Sequence, residues 1–126
     1  MKRIYYLLVF TFLLCAQSYA QINVPDANFR AILSSDYSIT FDVGNNITNT
    51  ATAAAVTSLN VSNQNISDLT GIEAFIGLTI LNCGSNQLTS LNTSANTLLT
   101  NLELVGNQLT SLDVTSNTLL TFLGVF

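Results

Sequence analysis

No histidine occurs anywhere in the 126 residues. The commonest general base and the commonest transition-metal ligand are therefore missing. Basic residues are nearly as scarce: Lys2, Arg3 and Arg30 are the whole supply. Gripping nucleic-acid phosphates takes clustered lysine and arginine, and clinging to anionic lipid takes the same. The composition argues against both partners. Cysteine appears twice, as Cys15 and Cys83, too sparsely for a disulfide framework.

What the first residues do contain is an export signal. Lys2 and Arg3 precede the apolar run Ile4 to Cys15 (IYYLLVFTFLLC), about the length of a signal-peptide core. Ser18 and Ala20 are small residues at the third-last and last positions before a cut after Ala20. A membrane anchor would need about 20 apolar residues, so the expectation is a signal peptide over 1–20 and no membrane insertion of the mature chain. A lipoprotein would need a small residue before Cys15, where Leu14 stands. Cleavage predicts a secreted or cell-surface protein. It leaves Arg30 against Asp26, Asp36, Asp42, Asp68, Glu73, Glu103 and Asp113, a net charge of −6. It also leaves Cys83 alone, so stability must come from core burial.

The rest of the chain repeats itself. Aligned on leucine, the segments read VTSLNVSNQNI from Val56, LTILNCGSNQL from Leu78, LTNLELVGNQL from Leu99 and LTFLGVF from Leu120. Their starts are 22, 21 and 21 residues apart. The tails also match, TSLNTSANTL after Leu88 and TSLDVTSNTL after Leu109. Alternate apolar positions such as Leu102 and Leu104 predict a short strand with one face inward. One strand per 21–22-residue repeat gives a parallel sheet with the remainder returning behind it. In the third repeat Leu99, Leu102, Leu104, Leu109, Leu112, Val114 and Leu119 are the expected core. One repeat cannot repay the ordering of its own backbone, so neighbours must share their apolar surface.

The pattern resembles the leucine-rich repeat, L-x-x-L-x-L-x-x-N-x-L. The resemblance covers Val56 to Phe126 and implies three full repeats and a fourth cut short. It makes the fold an α/β-type solenoid with a short parallel β-sheet. Asn86 and Asn107 occupy the asparagine column. The chain turns inward there, and a carboxamide supplies both donors and an acceptor to backbone groups left without sheet partners. They are read as a structural ladder. In the first repeat Gln64 takes that column, so the turn is expected to differ locally. Cys83 falls between Val61 and Leu104 in an inward column, as a small apolar residue with no basic neighbour to activate it.

Residues 21–55 read as an N-terminal helical cap region. An open solenoid end exposes its core, and VPDANFRAIL supplies a cover: Pro25 suits a first helical turn, Asp26 suits the positive end, and Phe29, Ile32 and Leu33 share a face. Thr50 to Ala55 reads as a second helical turn. The Pro-Asp-Ala-Asn-Phe segment and LTGIEAF (Leu69 to Phe75) are similar to a group of secreted bacterial leucine-rich-repeat proteins. In that group a calcium-loop-like stretch often precedes an alanine-rich run. Here TFDVGNNI keeps only Asp42 as a carboxylate, too few charged oxygens for calcium, and an ordinary turn is expected. No metal or other cofactor is expected.

No catalytic constellation emerges. Asp113 falls in a return segment while Glu103 falls on a strand, and the chain is expected not to be an enzyme. The useful surface is the outer, concave face of the strands. Ile80, Asn82, Asn101, Glu103 and Phe122 are the candidate ligand-binding residues, suited to a protein or glycan partner. The expected function is a binding module for protein–protein or adhesive contact. The alternatives are a structural, self-assembling envelope spacer and the non-catalytic N-terminal part of a longer multidomain protein. The chain stops midway through a repeat, which reads as truncation and leaves a C-terminal edge open to self-association.

Overall fold

The computed structural model describes residues 20–125; the signal-peptide expectation falls on residues 1–19, outside that stretch. Each repeat contributes one three-residue strand: β1 (Ser58–Asn60), β2 (Ile80–Asn82), β3 (Asn101–Glu103) and β4 (Phe122–Gly124). They lie in chain order in a single parallel sheet. Leu59, Leu81, Leu102 and Leu123 stand in register at the middle of the four strands. Strand side chains alternate between faces, so these leucines turn inward while their neighbours face out. Leu59, Leu81 and Leu102 are fully buried, whereas Leu123 is 39% exposed, because β4 has no described neighbour on its far side.

Behind the strands, the inward columns stack into one core. Val61, Cys83 and Leu104 are buried, as are Leu78 and Leu99, and Ile66 and Leu88. Leu109, Leu112 and Val114, nearest the open end, are only partly buried. Leu119 corrects the expectation: it is 51% exposed, in line with exposed Ile76 and Leu98 in the preceding repeats. These side chains each come three or four residues before a strand's first outward position, and the inward place beside them is taken by Leu120, Leu99 and Leu78. The expected first-repeat irregularity lies at the Gln64 turn, where Asn65 adopts φ 55° as well as Asn63 at φ 61°, while later repeats have positive φ only at Ser85 and Gly106. Separately, the first repeat holds a one-turn 3-10 helix, Ile72–Ala74, entered through Gly71 at φ 105°. A Cβ on Gly71 would lie 2.4 Å from Val24 Cγ2, so both backbone angle and space demand glycine.

Two helices precede the sheet, α1 (Ala27–Tyr37) and α2 (Thr50–Ala55). Asp26 caps α1, accepting from the amides of Asn28 and Phe29 at 2.9 and 3.0 Å. Pro25 therefore lies before the cap, outside the first turn where it was expected, because the Asp26 carboxylate sets the helix start one residue later. Phe29 and Leu33 are buried and Ile32 partly so. The other oxygen of Asp26 accepts from Ser67 N and Oγ, and Asn28 Nδ2 donates to Asn65 O, tying the start of α1 to the first repeat. Tyr37, at the end of α1, reaches β1: its hydroxyl accepts from Asn60 N at 2.7 Å and donates to Asn60 O at 3.4 Å.

Candidate functional site

The strand register sets out the exposed face as rows. One row runs Ser58, Ile80, Asn101, Phe122 and the next runs Asn60, Asn82, Glu103, Gly124. The five sequence-chosen residues thus share one surface. Ile80 and Phe122 are 44% and 48% exposed, with Val105 beside them at 39%. Asn82, Asn101 and Glu103 are half-buried.

The polar side chains of the second row are tethered. Asn60 Oδ1 accepts from Ser62 N and Oγ, Asn82 Oδ1 from Gly84 N at 3.1 Å, and Glu103 Oε1 from Val105 N at 3.2 Å. Each acceptor is spent on the amide two residues on, which is the local turn that asparagine favours. The carboxamide nitrogens of Asn60 and Asn82 then point away from that bond. Beside Glu103 lies Gly124, where a Cβ would sit 2.5 Å from Oε2 and 2.6 Å from Oε1. The missing side chain makes room for the carboxylate.

Three ladders hold this face from behind. Asn86 is buried; its Oδ1 accepts from Gln64 N and Ile66 N, and its Nδ2 donates to Val61 O and Cys83 O. Asn107 repeats the arrangement one coil on, with Leu88 N, Cys83 O and Leu104 O. A second column went unread in the sequence. Asn96 Nδ2 donates to Ile72 O and Phe75 O, and Asn117 Nδ2 donates to Thr93 O and Asn96 O. Thr93 Oγ1 donates to Asn117 Oδ1 at 2.8 Å, whereas Asn96 Oδ1 is buried without a partner. The third ladder is threonine: the hydroxyls of Thr79, Thr100 and Thr121 each donate to the carbonyl of the threonine one coil earlier. Its signal was the threonine in second place of every repeat.

Reactive chemistry is sparse. Cys83 is buried, and burial, helped by the nearby Glu103 charge, pushes its thiol up to about 12. Asp42 is held below the usual carboxylate range by the Asn46 side chain and by backbone amides of Asn46 and Gly44. Its oxygens are spent on closing an ordinary turn. A hollow of about 350 Å³ opens between the return segments 68–73 and 90–95, away from the strand face. Of its two carboxylates, Asp68 accepts from Thr70 N and Oγ1 and Glu73 from Gly71 N. Among the described residues, no three acidic, cysteine or histidine side chains gather closely enough to hold a metal ion. None of the described helices is long and apolar enough to cross a membrane.

No family model matches the chain. It is 50% identical over 44 residues to internalin J of Listeria monocytogenes serotype 4b (strain F2365), a match covering 35% of this chain and 5% of that protein. Among solved structures, it resembles the functional domain of InlJ from Listeria monocytogenes, described as including a cysteine ladder. The TM-score is 0.70 at 42% identity, over 80% of this chain and 22% of that one. Here Cys83 has Val61 and Leu104, not cysteines, as its neighbours in the inward column. An internalin (inlF) from the same species matches with a TM-score of 0.61 at 24% identity, over 80% of this chain and 29% of that one. This chain spans a small part of each relative's length. The described residues form a leucine-rich-repeat solenoid that shares its fold with internalins J and F and, over part of its length, its sequence with internalin J.

Proposed function

We propose that this chain is a secreted or cell-surface binding module that holds a protein partner against the outer face of its strands. The observation that carries the reading is the shared register of Ile80, Asn82, Asn101, Glu103 and Phe122, which mixes exposed apolar side chains with tethered polar ones. Interfaces are built from such apolar anchors with hydrogen-bonding groups between them. The amides also suit glycan hydroxyls. In this reading residues 21–55 close the N-terminal end and the two asparagine columns keep the face rigid. The similarity to internalin J supports the assignment. The test is the double variant Asn82→Lys, Glu103→Lys, assayed for binding to envelope and host-surface extracts. Loss of a captured protein is expected; unaltered capture by a well-folded double variant overturns the strand face as the site.

The apolar side chains gathered beside β4 favour a second reading, self-association. Leu123 and Val125, with Leu109, Leu112 and Val114, line a hollow of about 280 Å³ there. Exposed strand edges and apolar patches promote pairing. Sedimentation over a range of concentrations decides it: a monomer throughout rules it out.

A further inference from the structure

The strand face carries a single charge, and its surroundings select what would meet it. We propose that Glu103 is the seat for a lysine or arginine side chain of the protein partner, an inference that rests on the strand-face reading above.

Four observations converge on that assignment. The carboxylate is fixed in place: Oε1 accepts from Val105 N, and the absent side chain of Gly124 lets both oxygens lie against β4. Oε2 has no hydrogen-bond partner among the described residues. An ionised carboxylate accepts about four hydrogen bonds, so most of its capacity is left for solvent or a ligand. Among the described residues Arg30 is the only base, and its guanidinium donates to Val24 O and Pro25 O rather than to Glu103. Finally, exposed Val105 follows Glu103 on the same face, and exposed Phe122 stands diagonally across on β4.

That frame distinguishes a basic side chain from other ligands. The aliphatic stem of lysine or arginine lies along apolar surface while its head meets the charge. A guanidinium stacks on an aromatic ring and pairs with a carboxylate through two parallel hydrogen bonds. A metal ion would need several more charged oxygens than one. The net charge of −6 that remains after residue 20 draws basic partners from a distance, but it does not choose the point of contact. Glu103 does.

The experiment uses two capped tripeptides, Leu-Lys-Leu and Leu-Gln-Leu, titrated into the labelled protein and followed by NMR at the amides of Gly84, Glu103, Val105 and Gly124. The lysine peptide is expected to bind these positions about tenfold more tightly than the glutamine peptide, the usual scale for a charge-assisted hydrogen bond. Glu103→Gln keeps an acceptor for Val105 N and should erase the difference. Gly124→Ala should reduce it by displacing the carboxylate at constant charge, while Asp113→Asn, on a return segment, should leave it intact. Circular dichroism checks that each variant is folded. Equal binding of both peptides at the face overturns the cation seat and leaves the strand-face reading standing. Lysine preference that survives Glu103→Gln, or falls equally with Asp113→Asn, overturns it in favour of diffuse attraction. Failure of both peptides to shift these amides overturns it as well, and the extract-binding assay then judges the wider reading separately. Chitin oligomers shifting the same amides, with neither peptide doing so, would assign the face to glycan.

Discussion

The unpartnered oxygen of Asn96 gives a measurement that would be hard to explain by anything but the ladder geometry. In the next coil, Asn117 Oδ1 receives the hydroxyl of Thr93. The residue standing to Asn96 as Thr93 stands to Asn117 is Ile72: in each case the asparagine Nδ2 donates to that residue's carbonyl, 24 positions earlier. Ile72 is 2% exposed and has no hydroxyl to give. Replacing it by valine should cost about 0.5–1.5 kcal/mol for the lost methyl group. Threonine has nearly the shape of valine. At an ordinary buried site its unpaired hydroxyl would make it worse than valine by a further ~1–3 kcal/mol. Here the hydroxyl has a waiting acceptor, and pairing it relieves a buried orphan that itself costs about 1–3 kcal/mol. The expected result is that Ile72→Thr is as stable as Ile72→Val to within about 0.5 kcal/mol, or more stable by about 1 kcal/mol. Urea denaturation followed by circular dichroism measures it. The same pair in an Asn96→Ala background should restore the ordinary penalty for threonine. If Ile72→Thr falls below Ile72→Val by more than about 2 kcal/mol in the native background, the hydroxyl is not being accepted and the proposed equivalence of the two coils is wrong.

Other perturbations read other parts of the molecule. Asn86→Ala, which leaves several buried backbone groups without partners, should destabilise by roughly 3 kcal/mol, and Asn107→Ala by about half as much, since Asn107 is less buried and makes fewer bonds; equal losses in denaturant midpoints would contradict the burial difference. For Asp26, burial acts to raise the pKa, but hydrogen bonds from Phe29, Ser67 and Asn28 outweigh it and hold the carboxyl below its ordinary 3.8. A lowered carboxyl stabilises the fold above the unfolded value and loses that contribution as pH falls through the folded one. Acid titration of stability should therefore drop below about pH 4, with Asp26→Asn less stable at neutral pH and less sensitive to acid. The buried Cys83 thiol, pushed up to about 12, should react with a thiol-specific disulfide reagent at pH 8 only at the rate of unfolding, and rapid labelling of the native protein would refute its burial.

The sequence was most legible where one property recurs at one spacing. Leu59, Leu81, Leu102 and Leu123 announce the strand register because burial needs nothing from them except being apolar at the right place. Leu119 misled because Leu119-Leu120 offers two equal candidates for one inward place, and the backbone direction that decides between them is a property of the folded coil. Thr93, Asn96 and Asn117 look like loop residues in a list. Their role depends on which carbonyls lie opposite once successive coils are stacked, which composition does not encode. Tyr37 was equally hidden, since its partner Asn60 is 23 residues away and unrelated to it by the repeat. Of the strand face, the identities of the outward residues were readable, but the tethering of Glu103 and the space left by Gly124 arise only once β3 and β4 lie side by side.

The tyrosine has one further effect. Alternate residues of a parallel strand bond to opposite sides, and Asn60 turns its amide and carbonyl away from β2. With one hydroxyl occupying both groups, an incoming chain finds no vacant donor or acceptor at this position. The far flank of β4 has no such stopper among the described residues. At Asn60 the outer flank of β1 is thus closed by a side chain of the same chain, as a rivet closes one end of a zip.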